Sequence, residues 1–229
     1  MSECVNTQIS DGVATISISN GKANAFSHQV IDELNSALDQ AQAAKAVVVL
    51  TGTPGMFSAG YDLSIMKQSM SKAMELVFKG SSLSRRLLSF PYPVIAACSG
   101  HAVAKGAFIL LSVDFRIGVQ GPFKIGLNEV AIGMSMHDAG VEIARGRLAP
   151  VYFNRSVNLA EMMSPDDAVT MGFLDKVVSE QDFQESVTET AKAMTQLNMQ
   201  AHLNTKLKAR AQLLKTLDAA IEKDKTGSL

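Results

Sequence analysis

The chain has 229 residues, 47% of them hydrophobic, and a formal net charge of −1. That length and apolar content fit one domain with a sizeable core. The balanced charge excludes a global basic field for nucleic acid, and no apolar run reaches the roughly 18 residues of a membrane span.

The opening, MSECVNTQISDG, is polar and lacks a signal-peptide core, so a cytoplasmic location is expected. GVATISIS alternates polar and apolar residues, as a half-buried strand does. SHQVIDELNSALDQAQAA places Val30, Ile31, Leu34 and Leu38 at helical spacing, with Ser27 as N-cap; Val30, three residues on, rules out a capping box. KAVVVLTG and PVIAACSG are continuous apolar runs closed by glycine, the pattern of buried strands. Between them, LSIMKQSMSKAMELVFKGSSLSRRLLSF reads as helix up to Pro91. DFRIGV and LDKVVS read as two more strands, and SPDDAVTMG as a short capped helix ending at Gly172. From about Gln181 the pattern is almost all helical. Strands alternating with helices predict an α/β domain. Residues 1–185 form its core, and 186–229 a helical segment of the same domain that closes a site or builds an oligomer.

Cys4 and Cys98 are too far apart in sequence for a disulfide scaffold, and Cys98 in PVIAACSG reads as a small buried hydrophobe. There is no Walker phosphate loop, no dinucleotide fingerprint after the first strands, and MFSAG lacks the first glycine of a nucleophile elbow. His28, His101, His137 and His202 are scattered, so no metal site is expected.

Three features remain. In TGTPGMFSAGYDLSIM a buried strand ends in a Gly, Pro and Ser loop and a helix begins near Asp62. In SGHAVAKGAFILLSVDF a second strand leads to an apolar helix from about Lys105, with no Ser, Thr, Asp or Asn in the three residues before it. Its first N–H groups must therefore meet water, another segment or a ligand. Two such junctions on neighbouring strands aim two N–H groups at one point, the design of an oxyanion hole. The third is IGLNEVAIGMSMHDAG, which sets Glu129 among apolar residues. Two readings stand for Glu129: a carboxyl tuned for proton transfer, or an acid bonded to loop backbone or paired with Arg116.

MFSAGYDLSIM resembles the F-x-A-G-x-D-L motif of the enoyl-CoA hydratase/isomerase family, the crotonase superfamily. PVIAACSGHAVAKGAFILLSVDFRIG is similar to its second motif, FKIGLNEVAIGM to its third and GFLDKVVSE to a later one; VATISISNGKANAFS matches its first strand and coenzyme A loop. The resemblance runs to about residue 185. It implies a spiral of repeated β-β-α units with a C-terminal helical layer, assembled as a homotrimer or hexamer. The implied substrate is an acyl-CoA thioester, with no cofactor beyond the coenzyme A of that substrate. Its oxyanion donors would be the backbone N–H groups of Tyr61 and Lys105. Substrate contacts would come from Lys22 and Ala23, from Ala59, Gly60, Asp62 and Leu63, and from Gly106 and Phe108. The Tyr61 ring, Met66, Phe57, Phe78 and Leu83 are candidates for the acyl pocket.

Hydratases of this family carry two glutamates; here the first position is Phe108 and the second Glu129. One carboxylate suffices to move a double bond, and the family's Δ3,Δ2-enoyl-CoA isomerases share this pattern. The expected activity is therefore conversion of a 3-enoyl-CoA to a 2-enoyl-CoA. Two departures bear on it. Lys105 stands where most relatives have glycine, its side chain directed to coenzyme A phosphates or to solvent. Asp138, with His137 beside it, is either a second catalytic acid or the N-cap of the following helix. A catalytic Asp138 would turn the scaffold to hydration, dienoyl isomerisation or thioester hydrolysis. A hole decayed at Lys105 would leave an acyl-CoA-binding protein.

Overall fold

The computed structural model of the chain describes residues 3–226. β1 (Val5–Ser10) and β2 (Val13–Ile18) form an antiparallel hairpin across Asp11 and Gly12, whose φ values of 51° and 76° suit a two-residue turn. α1 (His28–Ala43) follows, and Val30 N donates to Ser27 Oγ at 3.2 Å, the expected cap. Then come β3 (Val47–Thr51), β4 (Gly55–Ser58), α2 (Leu63–Met66) and α3 (Met70–Leu88). The next repeat is β5 (Val94–Cys98), β6 (Gly100–Val103) and α4 (Lys105–Ser112). β7 (Phe115–Val119) and β8 (Ile125–Gly126) lead through a 3₁₀ turn at Val130–Ile132 to α5 (Asp138–Arg147). α6 (Phe153–Val157), α7 (Pro165–Met171) and β9 (Lys176–Val178) precede α8 (Glu180–Thr195), α9 (Met199–Ala209) and α10 (Ala211–Thr226).

The large sheet has the order β1-β2-β3-β5-β7-β9, parallel beyond the hairpin; β4, β6 and β8 form a small parallel sheet beside it. Each of β3, β5 and β7 is followed by a strand of the small sheet and then by helix. This is the expected β-β-α spiral, and it stacks the three β4, β6 and β8 exits side by side. One face of the large sheet meets the main core, including Ile16, Val48, Ala96 and Leu110. Val47, Val49, Ile95 and Ile117 on the other face are covered by Val187 and Ala191 of α8. The expected division at 185 and 186 thus falls inside α8, a helix that belongs to the sheet packing.

Other expectations need correction. The helix predicted up to Pro91 is broken at 67–69, where exposed polar residues end α2 and Ser69 Oγ accepts Lys72 N at 3.2 Å to start α3. Gly172 ends α7 at φ 97°, as expected. β1, β4, β6 and β8 escape the sequence patterns: β1 is a mostly exposed edge, and the other three are four residues or fewer. Among the described residues, no helix is long and apolar enough to cross a membrane.

Candidate active site

Tyr61 follows β4 and Lys105 follows β6, neighbouring parallel strands of the small sheet. At the first junction Phe26 N donates to Gly60 O at 2.8 Å and Asp62 N to Phe26 O at 3.0 Å. The Tyr61 N–H between them has no partner among the described residues. Asn24, fully buried at φ 44°, braces this loop: its carboxamide nitrogen donates to Thr53 Oγ1 at 3.1 Å and Met56 O at 3.0 Å. Lys22 and Ala23 lie exposed beside it, and Ala59 N donates to Ala23 O at 2.9 Å. Asp62 caps α2 by accepting Ser64 N at 2.8 Å, and leaves Leu63 exposed.

At the second junction Ala104 has φ 51° and ψ −118°, backbone that side-chain-bearing residues rarely adopt. It turns the chain from β6 straight into α4 without a side-chain cap, and the Lys105 N–H has no partner among the described residues. The junctions touch at Gly60 (φ 108°), where a Cβ would lie 2.9 Å from Ala104 Cβ and 3.5 Å from Lys105 N. At Gly106 a Cβ would collide with Ser58 O. Both glycines allow close backbone approach. The two junctions thus meet at Gly60, and each ends in a backbone N–H with no partner among the described residues.

The Lys105 side chain does neither of the things expected of it. It reaches neither solvent nor an exposed phosphate-binding surface: the residue is 1% exposed, and Nζ donates to Gly80 O and Ser84 Oγ of α3 at 2.6 Å each. Burial without a carboxylate partner lowers its ammonium to about 7. The Tyr61 ring packs where Gly80 lacks a Cβ, and its Oη donates to Val77 O at 3.4 Å. Burial first, then the nearby charge of Glu129, pushes this phenol above the usual tyrosine range.

Glu129 leaves β8 and precedes the 3₁₀ turn, its carbonyl accepting Ile132 N at 3.2 Å and Met134 N at 2.9 Å. The residue is 8% exposed, and Oε2 is buried with no partner among the described residues. Burial raises its carboxyl to about 7. The pairing with Arg116 does not form; Arg116 Nη2 and Nε instead donate to Asp175 at 2.6 and 2.8 Å, tying β7 to the start of β9.

Asp138 was expected as a catalytic acid or as an N-cap, and its side chain does not cap the helix. It is the first residue of α5, and its carboxylate, 46% exposed, pairs with Lys223 at 2.9 Å. Asp224 does the capping, accepting Asp138 N and Ala139 N at 2.8 Å each. His137 faces Phe108 instead of assisting Asp138. Burial, then the charge of Lys105, lowers its imidazole to about 4, so it is neutral at pH 7. Phe108, on α4, is 1% exposed.

Just after the first junction opens a cavity of about 670 Å³, lined by Leu63, Met66, Met70, Ala73, Ile132 and Met134 among others. Met66 is the one expected pocket residue on it; Phe57 and Leu83 lie in the core, and Phe78 sits under the Lys225 ammonium, 5.1 Å from its ring centroid. Sequence reasoning missed Gly80, Ser84, Met134 and Asp224. Only Gly80 left a signal, as an isolated glycine inside a helical pattern. No group of three potential ligands is placed to hold a metal among the described residues.

The sequence model for enoyl-CoA hydratase/isomerase matches residues 8–227. The chain is similar, at 56% identity and a TM-score of 0.97, to an enoyl-CoA hydratase/isomerase family protein from Pseudomonas syringae, over 99% of this chain and 98% of that one. An enoyl-CoA isomerase from Mycobacterium tuberculosis is 36% identical with a TM-score of 0.93, each chain covered to 98%. A probable enoyl-CoA hydratase from Bacillus subtilis is 29% identical over 195 residues, 83% of this chain and 74% of that protein.

Proposed function

The chain belongs to the enoyl-CoA hydratase/isomerase family, and from that premise we propose that it converts a 3-enoyl-CoA to a 2-enoyl-CoA through a thioester enolate. The observation that carries the proposal is Glu129, a buried carboxyl with an unpartnered oxygen, close enough to Tyr61 for its charge to act on that phenol. The Glu129 carboxylate takes a proton from C2. The electron pair moves onto the thioester oxygen, which accepts hydrogen bonds from Tyr61 N–H and Lys105 N–H. The resulting dienolate collects the proton from Glu129 at C4, leaving the double bond between C2 and C3. Each backbone donor aimed at the developing charge lowers the barrier by about 3 kcal/mol. A carboxyl near 7 is matched to both halves of the transfer.

Hydration needs a second group to orient water. Phe108 fills one candidate position, and Lys223 holds the Asp138 carboxylate. Both favour isomerisation over hydration. The exposed loop at Lys22 and Ala23 is the proposed landing place for coenzyme A, and the methionine-lined cavity takes the acyl chain. Val151 and Leu159, 77% and 72% exposed, supply apolar surface for assembly as a homotrimer or hexamer.

The test is deuterium exchange at C2 and C4 of a 3-enoyl-CoA, followed by NMR for wild type and Glu129→Gln. Exchange at both carbons in wild type, absent in the variant, is expected. Exchange surviving in Glu129→Gln would move the shuttle to another group. Tight binding of that thioester without exchange in wild type would instead point to an acyl-CoA-binding protein.

A further inference from the structure

Tyr61 and Lys105 lie 44 positions apart in the sequence, yet both side chains end on residues 77–84 of α3. Lys105 Nζ donates to Gly80 O and Ser84 Oγ at 2.6 Å each. The Tyr61 ring abuts Gly80 and its hydroxyl reaches Val77 O at 3.4 Å. The ammonium lies 6.0 Å from the Tyr61 ring centroid. We propose that Lys105 is a positioning residue. Its amine clamps the start of α4 to the same turns of α3 that stop the Tyr61 ring, and this common brace fixes the spacing of the two oxyanion donors. The inference rests on the reading of those N–H groups as the oxyanion hole.

Three observations support it. A buried amine with no carboxylate partner is costly, and Lys105 meets only a carbonyl and a hydroxyl. The residue before it, Ala104, holds a strained φ of 51°, which persists only where neighbours over-determine it. The tether begins one residue beyond that strain. Finally, Gly80 is a helical glycine whose missing Cβ is the space Tyr61 occupies, so both contacts converge on one residue of α3.

Positioning errors of about 1 Å at a reacting centre cost on the order of a hundredfold in rate. Lys105→Met keeps the stem and the backbone N–H but removes the clamp. Ser84→Ala removes one of its two acceptors and serves if Lys105→Met does not fold. The decisive readout is the infrared carbonyl stretch of a saturated acyl-CoA labelled with ¹³C at the thioester carbon, which needs no turnover. The hole should lower this frequency in wild type. Lys105→Met should return it most of the way to the free value, and Ser84→Ala part of the way. In parallel, kcat for isomerisation should fall by about 10- to 100-fold in Lys105→Met, with KM within about twofold. Wild-type frequencies in both variants would overturn the brace and leave the isomerase reading intact. A lowered frequency in wild type without isomerisation, lost in Lys105→Met, would support the brace and retire the isomerase reading. No frequency change in wild type would remove both.

Discussion

The ring of Phe108 meets His137 edge-on, centroids 5.5 Å apart and planes at 73°. The pair is apolar in effect, because His137 is neutral at pH 7. Phe108→Glu should therefore change chemistry as well as stability. Losing the buried ring and inserting an acid should lower stability by about 3–5 kcal/mol. Isomerisation should fall, and hydration of a 2-enoyl-CoA, read as loss of conjugated thioester absorbance, should rise above its wild-type level. The new carboxylate should also raise the His137 imidazole above about 4. An unmoved His137 in an NMR titration would place that carboxylate elsewhere.

Glu129 makes a paired prediction about rate and stability. Its carboxyl titrates near 7 in the folded chain against an ordinary value of 4.5. As the base, it should give kcat/KM an acid limb that rises through about pH 7. The folded state binds the extra proton between those values, so this group's contribution is fully present below about 4.5 and lost as pH rises through about 7. Glu129→Gln should cost about 10²- to 10⁴-fold in kcat. It should also gain up to about 3 kcal/mol of stability relative to wild type at pH 8, and nothing near pH 4. Urea unfolding at the two pH values checks the sign.

Lys105 has the opposite linkage. Its amine is lowered from 10.5 to about 7, so between those values the unfolded chain binds more protons. Stability therefore rises with pH across that window. Lys105→Met should remove this slope while leaving stability at pH 7 unchanged or higher, since apolar replacements of buried charges are often neutral or stabilising. The difference between variant and wild-type curves isolates Lys105 from Arg147, which burial also lowers, to about 10.

Asp224 is the capping group for α5 although it lies in the last turns of α10. Asp224→Ala should cost about 1–2 kcal/mol and speed hydrogen exchange at the Asp138 and Ala139 amides. Asp224→Asn, retaining one acceptor oxygen, should lie between. Lys223→Ala should do much less, because its pair with Asp138 is solvent-exposed.

These residues mark where the sequence was legible. Helix spacing, the Ser27 and Gly172 caps, the buried strand runs and Glu129 in its apolar run are local patterns; they lead to an α/β domain, while the β-β-α spiral was implied by the family resemblance of the motifs. The uncapped start of α4 was legible for the same reason: a cap is missing within three residues. What could not be read is set by distant partners. The Lys105 amine ends on residues 25 and 21 positions earlier, and no local signal separates it from a solvated lysine. Asp138 does mark a helix start, but the carboxylate that caps it comes from 86 positions later. β8, two residues long, has no periodicity to find; its place comes from parallel pairing with β6.

The carboxylate that caps the start of α5 is among the last of the described residues to be synthesised. α10 is made after every other described element, in a synthesis that adds about 5–20 residues per second. A nascent chain holding β1 to α8 carries the strands and Glu129 but not the carboxylate that accepts the first two amides of α5. Residues 211–226 supply that carboxylate, so a ribosome stalled before them would hold a chain whose Asp138 and Ala139 amides have yet to meet their acceptor.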